Sequence, residues 1–299
     1  MLCVRKAGQP AGARAEEART SRKEQNPVLY VILICSLVVG LPAIAFLAWY
    51  VAPLVIRSAQ IRDLRRICSR EGLVVLTYDD GPSENLTGRL LEELDDLDAK
   101  ATFFVTGVSA ASRPEGVRAL MERGHEVGSH SQQHVNALKS PPWKAGRDCT
   151  RGMKTLERLG ARAKFYRPPY GNATLGTLLA SRALKARVVW WTHDSGDTGS
   201  VPGRANSLMT AITSRLGGSS RRAFEGDNDL LEQRMQPEAR AGFLDEICRD
   251  GGVVLFHDSD RGHAALDAYT IQVTREIVER ARQSGKTITT MEHVMSMKA

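Results

Sequence analysis

Asp79-Asp80-Gly81-Pro82 sets two carboxylates side by side ahead of a Gly-Pro turn. Neighbours in a strand point to opposite faces, so a turn directly after the pair would let both carboxylates enter one pocket. Adjacent carboxylates repel, and a nearby cation relieves the cost. Taken alone, the same tetrapeptide reads as a solvated turn. His130-Ser131-Gln132-Gln133-His134 spaces two imidazoles four residues apart. That spacing puts them on one side of a helical turn and suits one divalent metal. A carboxylate with two histidines leaves coordination positions open, as catalytic sites do and closed structural sites do not. Arg167-Pro168-Pro169-Tyr170-Gly171 offers a guanidinium fork on a rigid backbone, suited to a carboxylate. Asp194-Ser195-Gly196-Asp197 and Leu255-Phe256-His257-Asp258 add further acids and one more imidazole.

The elements that must position these groups alternate. Short β-rich runs are expected at Leu73–Tyr78, Thr102–Val105, Glu126–Gly128, Lys164–Tyr166, Val188–Trp191, Val253–Phe256 and Thr287–Thr289. Helical patterns fall between them: the leucines from Leu86 to Leu97, then Arg113–Arg123, Pro142–Leu159, Thr174–Leu184, Ser207–Leu216, Pro237–Arg249 and Asp267–Arg282. Such alternation implies a mostly parallel α/β sheet, open or closed into a barrel, with chemistry at the C-terminal ends of the strands. All five reactive stretches fall just past an expected strand, each past a different one. Singly they have ordinary readings; jointly they describe one site. Residues 198–236, with Gly217-Gly218-Ser219-Ser220, read as a long surface loop.

The five segments, in this order, resemble the polysaccharide deacetylases, the carbohydrate esterases that include chitin and peptidoglycan deacetylases. The motifs are Thr77–Pro82, His130–His134, Arg167–Tyr170, Asp194–Asp197 and Leu255–His257, within a match running from about residue 72 to 295. The resemblance implies an irregular (β/α) barrel and hydrolysis of acetyl groups on a glycan. It implies that Asp80, His130 and His134 hold one divalent transition metal, zinc first, with cobalt, nickel or manganese as alternatives. Asp79 would be the general base and His257 the acid that protonates the departing amine. Arg167 would orient Asp79, and Asp194 would pair with His257 and keep it charged. The backbone N–H of Tyr170 would face the oxyanion, and Leu255 would line a pocket for the acetyl methyl. Two departures stand out. Thr198 occupies a position where the family has Trp, leaving Trp190 or, in our assignment, Trp191 to supply an apolar wall. The stretch from Asp197 to His257 is also long for the family.

Charge is unevenly placed. Residues 1–70 carry eleven Lys/Arg against four Asp/Glu, which accounts for the whole net charge of +7, and the remainder holds thirty of each sign. A body without net basic charge argues against nucleic acid as a partner. From Val28 to Ile56 no residue is charged, longer than the roughly 20 apolar residues a membrane span needs. With Trp49 and Tyr50 as interfacial aromatics, the run is expected to be a single uncleaved anchor. The competing reading is a signal peptide cleaved after Ala43-Ile44-Ala45, against which the apolar run continues well past Ala45. The expected organisation is a basic tail (1–27), an anchor (28–56), a basic linker (57–71) and a catalytic domain (72–299) on the extracytoplasmic side. Oligomeric state is not legible. Cys3, Cys35, Cys68, Cys149 and Cys248 are odd in number and lack zinc-ribbon spacing, so they read as small buried hydrophobes. The expected substrate is an N-acetylglucosamine-containing glycan. The alternatives are an O-acetyl esterase acting on xylan or another acetylated polysaccharide, and an inactive glycan-binding membrane protein.

Overall fold

The first strand of the body shows how the sheet works. In β1 (Leu73–Asp79) every residue is buried, so both faces of the strand are covered. Val74, Leu76 and Tyr78 join one apolar cluster; Leu73 and Val75 join another. The same split recurs in β2 (Thr102–Val105), where Phe103 and Val105 face the first cluster and Phe104 the second. In β8 (Gly252–His257), Val254 and Phe256 face the first and Val253 and Leu255 the second. The period of two thus separates an outer face, packed against helices, from an inner face inside the curl of the sheet.

In this computed structural model the described residues are 27–198, 203–204, 237–260, 262 and 264–297. The expected helix at Ser207–Leu216 and most of the 198–236 loop lie outside them. Besides the strands already given, the sheet contains β3 (Glu126–Ser129), β4 (Phe165–Tyr166), β5 (Arg187–Val188), β6 (His193–Asp194), β7 (Gly203–Arg204) and β9 (Thr287–Thr289), in the order β5-β4-β3-β2-β1-β8-β6-β7. Strand β9 shares the β2 edge of β1, pairing Leu73–Val75 while β2 pairs Thr77–Asp79. All these pairings are parallel except β6 with β7. With helices between successive strands, the architecture is an irregular (β/α) half-barrel.

The outer helices bury apolar stripes: Leu90, Leu91 and Leu94 on Thr87–Asp96, Val117 and Leu120 on Pro114–Glu122, and Val273, Ile277 and Val278 on Ala264–Gln283. Two short helices went unanticipated, Gly107–Ser112 and Met291–Ser296. The first was signalled by Thr106, whose hydroxyl accepts from the Ser109 backbone N–H as an N-cap.

The chain divides into two compact units, residues 1–48 and 49–299. In the first, Pro27–Cys35 and Leu41–Phe46 are α-helical and Ser36–Gly40 is a π-type turn, all exposed except partly buried Gly40. This run is long and apolar enough to be a signal or a span. In the second unit, residues 57–71 are not a linker. They belong to a helix, Ala52–Glu71, whose Ile61, Leu64, Ile67 and Cys68 enter the inner cluster, and the helix stops at Gly72 in the left-handed region. Arg62, Arg66 and Arg70 are exposed, whereas Arg57 is buried over the Trp190 and Trp191 rings. Cys68 and Cys149 are buried free thiols, which burial pushes up to about 12.

Candidate active site

Strand alternation builds most of the site. Thr77 and Asp79 on β1, Leu255 and His257 on β8, and Arg167, two residues beyond Phe165, all fall on the inner face. Asp80 would turn outward, but its φ of 78° breaks the strand at that point, and its N–H still donates to the Phe104 carbonyl (3.1 Å). Gly81 follows because Asp258 occupies the space beside it: a Cβ there would stand 2.5 Å from the Asp258 Cγ. The left-handed turn at Asp80, more than the Gly-Pro pair, is what brings both carboxylates in.

His130 and His134 do not lie on a helical turn. The 130–134 segment is irregular, with φ of 69° at Ser131 and 55° at His134. The helix Pro142–Arg158 holds it from outside. Asp148 accepts from the backbone N–H groups of Gln133 (3.1 Å) and Val135 (3.2 Å), and a Cβ on Gly152 would stand 2.8 Å from the Gln132 nitrogen. Neither residue was singled out from sequence; both are loop-holding groups on a helix whose chemistry-bearing partners are distant in the chain.

The His and Asp groups converge. His134 Nε2 lies 3.2 Å and His130 Nε2 3.6 Å from Asp80 Oδ1, and the three ligand atoms lie within 4.8 Å of one another. His130 Nδ1 donates to the Arg167 carbonyl (2.8 Å), which leaves Nε2 as a bare lone pair aimed at the carboxylate. Burial, with His134 alongside, pushes His130 down to about 3, so the ring is neutral. Asp80 Oδ1 is buried without a hydrogen-bond partner. Acceptors facing one another around a buried, unsatisfied oxygen are the donor set of a divalent cation, and these residues fit one.

Asp79 sits beside them, nearly inaccessible, with Oδ2 3.7 Å from His130 Nε2. Arg167 Nη1 donates to Asp79 Oδ1 (2.7 Å) and to Thr77 Oγ1 (2.8 Å). The guanidinium is fully buried, 4.0 Å above the Phe104 ring and 5.7 Å from that of Trp191. Burial pushes the Asp79 carboxyl above its usual range, against the pull of Arg167.

His257 is where the sequence reading needs correcting. Its ring partner is Asp197, not Asp194. Asp197 Oδ1 lies 3.0 Å from His257 Nδ1, and its Oδ2 accepts the His257 backbone N–H at 2.6 Å. Asp194 Oδ1 instead accepts from the Gly196 backbone N–H (2.9 Å), a turn that carries Asp197 inward. The Tyr269 hydroxyl clamps this turn by donating to the Ser195 carbonyl (2.8 Å). Burial opposes a charge on His257, but Asp197, with Asp80 and Asp79 behind it, outweighs burial and raises the imidazole to about 9.

Tyr170 has a φ of 58°, is half exposed, and sets its ring 4.5 Å from that of His134. Leu255 is buried in the inner cluster, two residues before His257. Trp191 is buried there too, and Gly171 (φ 63°) makes room for it, since a Cβ would stand 2.7 Å from its Cη2. Trp190 points deeper, donating to Gln60 Oε1 (2.6 Å). Of the expected strand Val188–Trp191 only Val188 pairs, together with Arg187 before it; the rest runs into this aromatic packing.

Residues 66–199 match the family model described as polysaccharide deacetylase. Over that stretch the chain is similar to the polysaccharide deacetylases. A peptidoglycan-N-acetylglucosamine deacetylase from Bacillus cereus is 28% identical over 186 residues, 61% of this chain and 85% of that protein. A chitin deacetylase from Colletotrichum lindemuthianum is 38% identical over 113 residues, 36% of this chain and 43% of that one. Among solved structures, a peptidoglycan N-acetylglucosamine deacetylase has the same fold, with a TM-score of 0.55 at 23% identity, covering 76% of this chain and 89% of its own.

Proposed function

We infer that this protein removes N-acetyl groups from an N-acetylglucosamine-containing glycan, of the peptidoglycan or chitin-like kind, using one zinc ion or a similar divalent cation. The observation that carries this reading is the convergence of Asp79, Asp80, His130, His134, Arg167 and His257 at one rim of the sheet. The relatives named for peptidoglycan and chitin support the choice of glycan.

Asp80, His130 and His134 would hold the cation. When bound, it would polarise the acetyl carbonyl and make a water acidic near neutral pH. Asp79, raised by burial and aimed by Arg167, takes a proton from water as the C–O bond forms. His257, charged at neutral pH, gives a proton to the amide nitrogen as the C–N bond breaks, so amine and acetate leave together. Asp197 keeps that proton on the ring until it is needed. Each transfer is worth about 10²–10⁴ in rate. The exposed Tyr170 ring meets the sugar, its backbone N–H faces the oxyanion, and Leu255 and Trp191 form the apolar floor for the methyl group.

The apolar run before Trp49 serves as an uncleaved, single-pass anchor, with the body on the extracytoplasmic side where wall glycans are found. Residues 27–48 would rise about 33 Å as a helix, enough for the hydrocarbon core. The reading is tested by acetate release from peptidoglycan fragments, chitooligosaccharides and acetylated xylan, with and without chelator. Release from the first two that stops on chelation is expected. Chelator-insensitive release, or release from xylan alone, would overturn it.

A further inference from the structure

The helix Pro142–Arg158 has a second face that the site does not use. Lys144, Arg147, Arg151, Lys154 and Arg158 recur at spacings of three and four, all are exposed, and none forms an ion pair among the described residues. The opposite, buried face holds Ala145, Cys149, Gly152, Met153 and Leu156, with Asp148 as its one charged group. A body with no net charge therefore carries a five-cation stripe on one helix.

Apolar groups flank the stripe. Trp143 is 62% exposed at its N-terminal end, and Leu179 is 54% exposed on the adjoining helix Leu175–Ala183, which also presents Arg182. Between the two helices lies a groove of about 400 Å³, lined by Trp49, Trp143, Arg147, Arg151 and Gly176 among others. A Cβ on Gly176 would stand 3.0 Å from Trp49 Cζ2, so the Trp49 ring lies against helix backbone. Trp49 directly follows the apolar unit that ends at Ala48, while Pro53 and Leu54 are already buried in the body. Chain connectivity thus ties the groove to the point where an anchor would leave the bilayer.

We propose that the Lys144–Arg158 stripe, with Trp143 and Leu179, docks the body on the anionic lipid surface of the membrane that anchors it. The proposal rests on the anchor reading above. Cations at headgroup level draw anionic lipid, and Trp and Leu beside them enter the acyl boundary, as on interfacial helices. An acidic wall polymer would meet the same cations but would leave the two apolar groups uncovered, and so lipid is favoured. The arrangement leaves the site-facing side of the helix, with Asp148 and Gly152, free to hold the His130–His134 loop.

The test uses the full chain in nanodiscs made with brominated phosphatidylglycerol or brominated phosphatidylcholine. The Trp143 emission is taken as the difference between the parent and Trp143→Phe. Quenching of that emission by about two-fold or more in phosphatidylglycerol discs is expected, with relief at high ionic strength and in Arg147→Gln/Arg151→Gln. The glutamine variant must melt like the parent and release acetate from a soluble oligosaccharide at the parent rate. Emission unaffected by bromine in either lipid overturns the proposal, as does quenching indifferent to salt. A shift of Trp143 emission with soluble polyphosphate but not with lipid would assign the stripe to an acidic polymer instead. Alkaline carbonate extraction separates the two readings: release of the chain from membranes removes the anchor, whereas retention without quenching removes only the docking.

Discussion

The two faces of the sheet are built from the same strands and do opposite work. On the outer face Val74, Leu76, Tyr78, Phe103, Val254 and Phe256 pack against helices in a continuous apolar layer. On the inner face, one residue out of step, Thr77, Asp79, Arg167 and His257 are set close to unsatisfied atoms such as Asp80 Oδ1 and the Nε and Nη2 of Arg167. Buried polar groups without full partners cost stability, whereas apolar burial supplies it. The period of two selects the face and the position along the strand selects the role: on the inner face Leu73, Val75 and Val253 are apolar core, and chemistry begins only towards the C-terminal ends of the strands.

Substitutions sharpen or break that contrast. The largest effect belongs to the inner face: Asp80→Ala or His134→Ala should remove the metal and reduce acetate release to background, without lowering the melting temperature in chelator. Next, Asp79→Asn should retain the metal yet lose about 10²–10⁴ in kcat/KM; full activity would refute the base. On the outer face, Leu90→Ala, fully buried, should cost about 2–5 kcal/mol in denaturant unfolding and leave the pH profile of the surviving enzyme unchanged.

Smaller effects separate the two aspartates. With His257 held near 9, kcat/KM should fall as pH rises through about 9 and the ring loses its proton. Asp197→Asn should move that limb to lower pH, because burial would then be opposed only by the charges of Asp80 and Asp79, while Asp194→Asn should leave the limb in place. The same elevated value means that the stability His257 confers is complete below pH about 6.5 and is lost as pH rises through 9. Smallest, His125 and His193 are pushed down to about 4 chiefly by burial. The unfolded chain then takes up their protons first, so the melting temperature should decline as pH drops from about 6.5 towards 4. Replacing either with Gln should flatten that decline.

The strand ends were legible in the sequence because buried parallel strands are short apolar runs and reactive residues follow them at once. The choice between Asp194 and Asp197 was not, since the two acids stand only three positions apart, and only the turn at Gly196 decides which one reaches His257. The pattern His-x-x-x-His reported the right pair through the wrong geometry: a loop pinned by Asp148 does what a helical turn would have done. The two-sided pattern of residues 57–71 was legible, but not that Ile61, Leu64 and Cys68 are buried in the body, because the apolar groups they meet, such as Val75 and Val253, come from strands later in the chain. Asp148 and Gly152 act through backbone atoms far along the chain, and residue type alone carries no such signal.

Metal content tests the central claim most directly. The full chain purified with zinc and analysed by elemental mass spectrometry should hold one equivalent per chain, and Asp80→Ala and His130→Ala should hold none while staying folded. One equivalent retained in both variants, or no metal in the parent at saturating zinc, would contradict it.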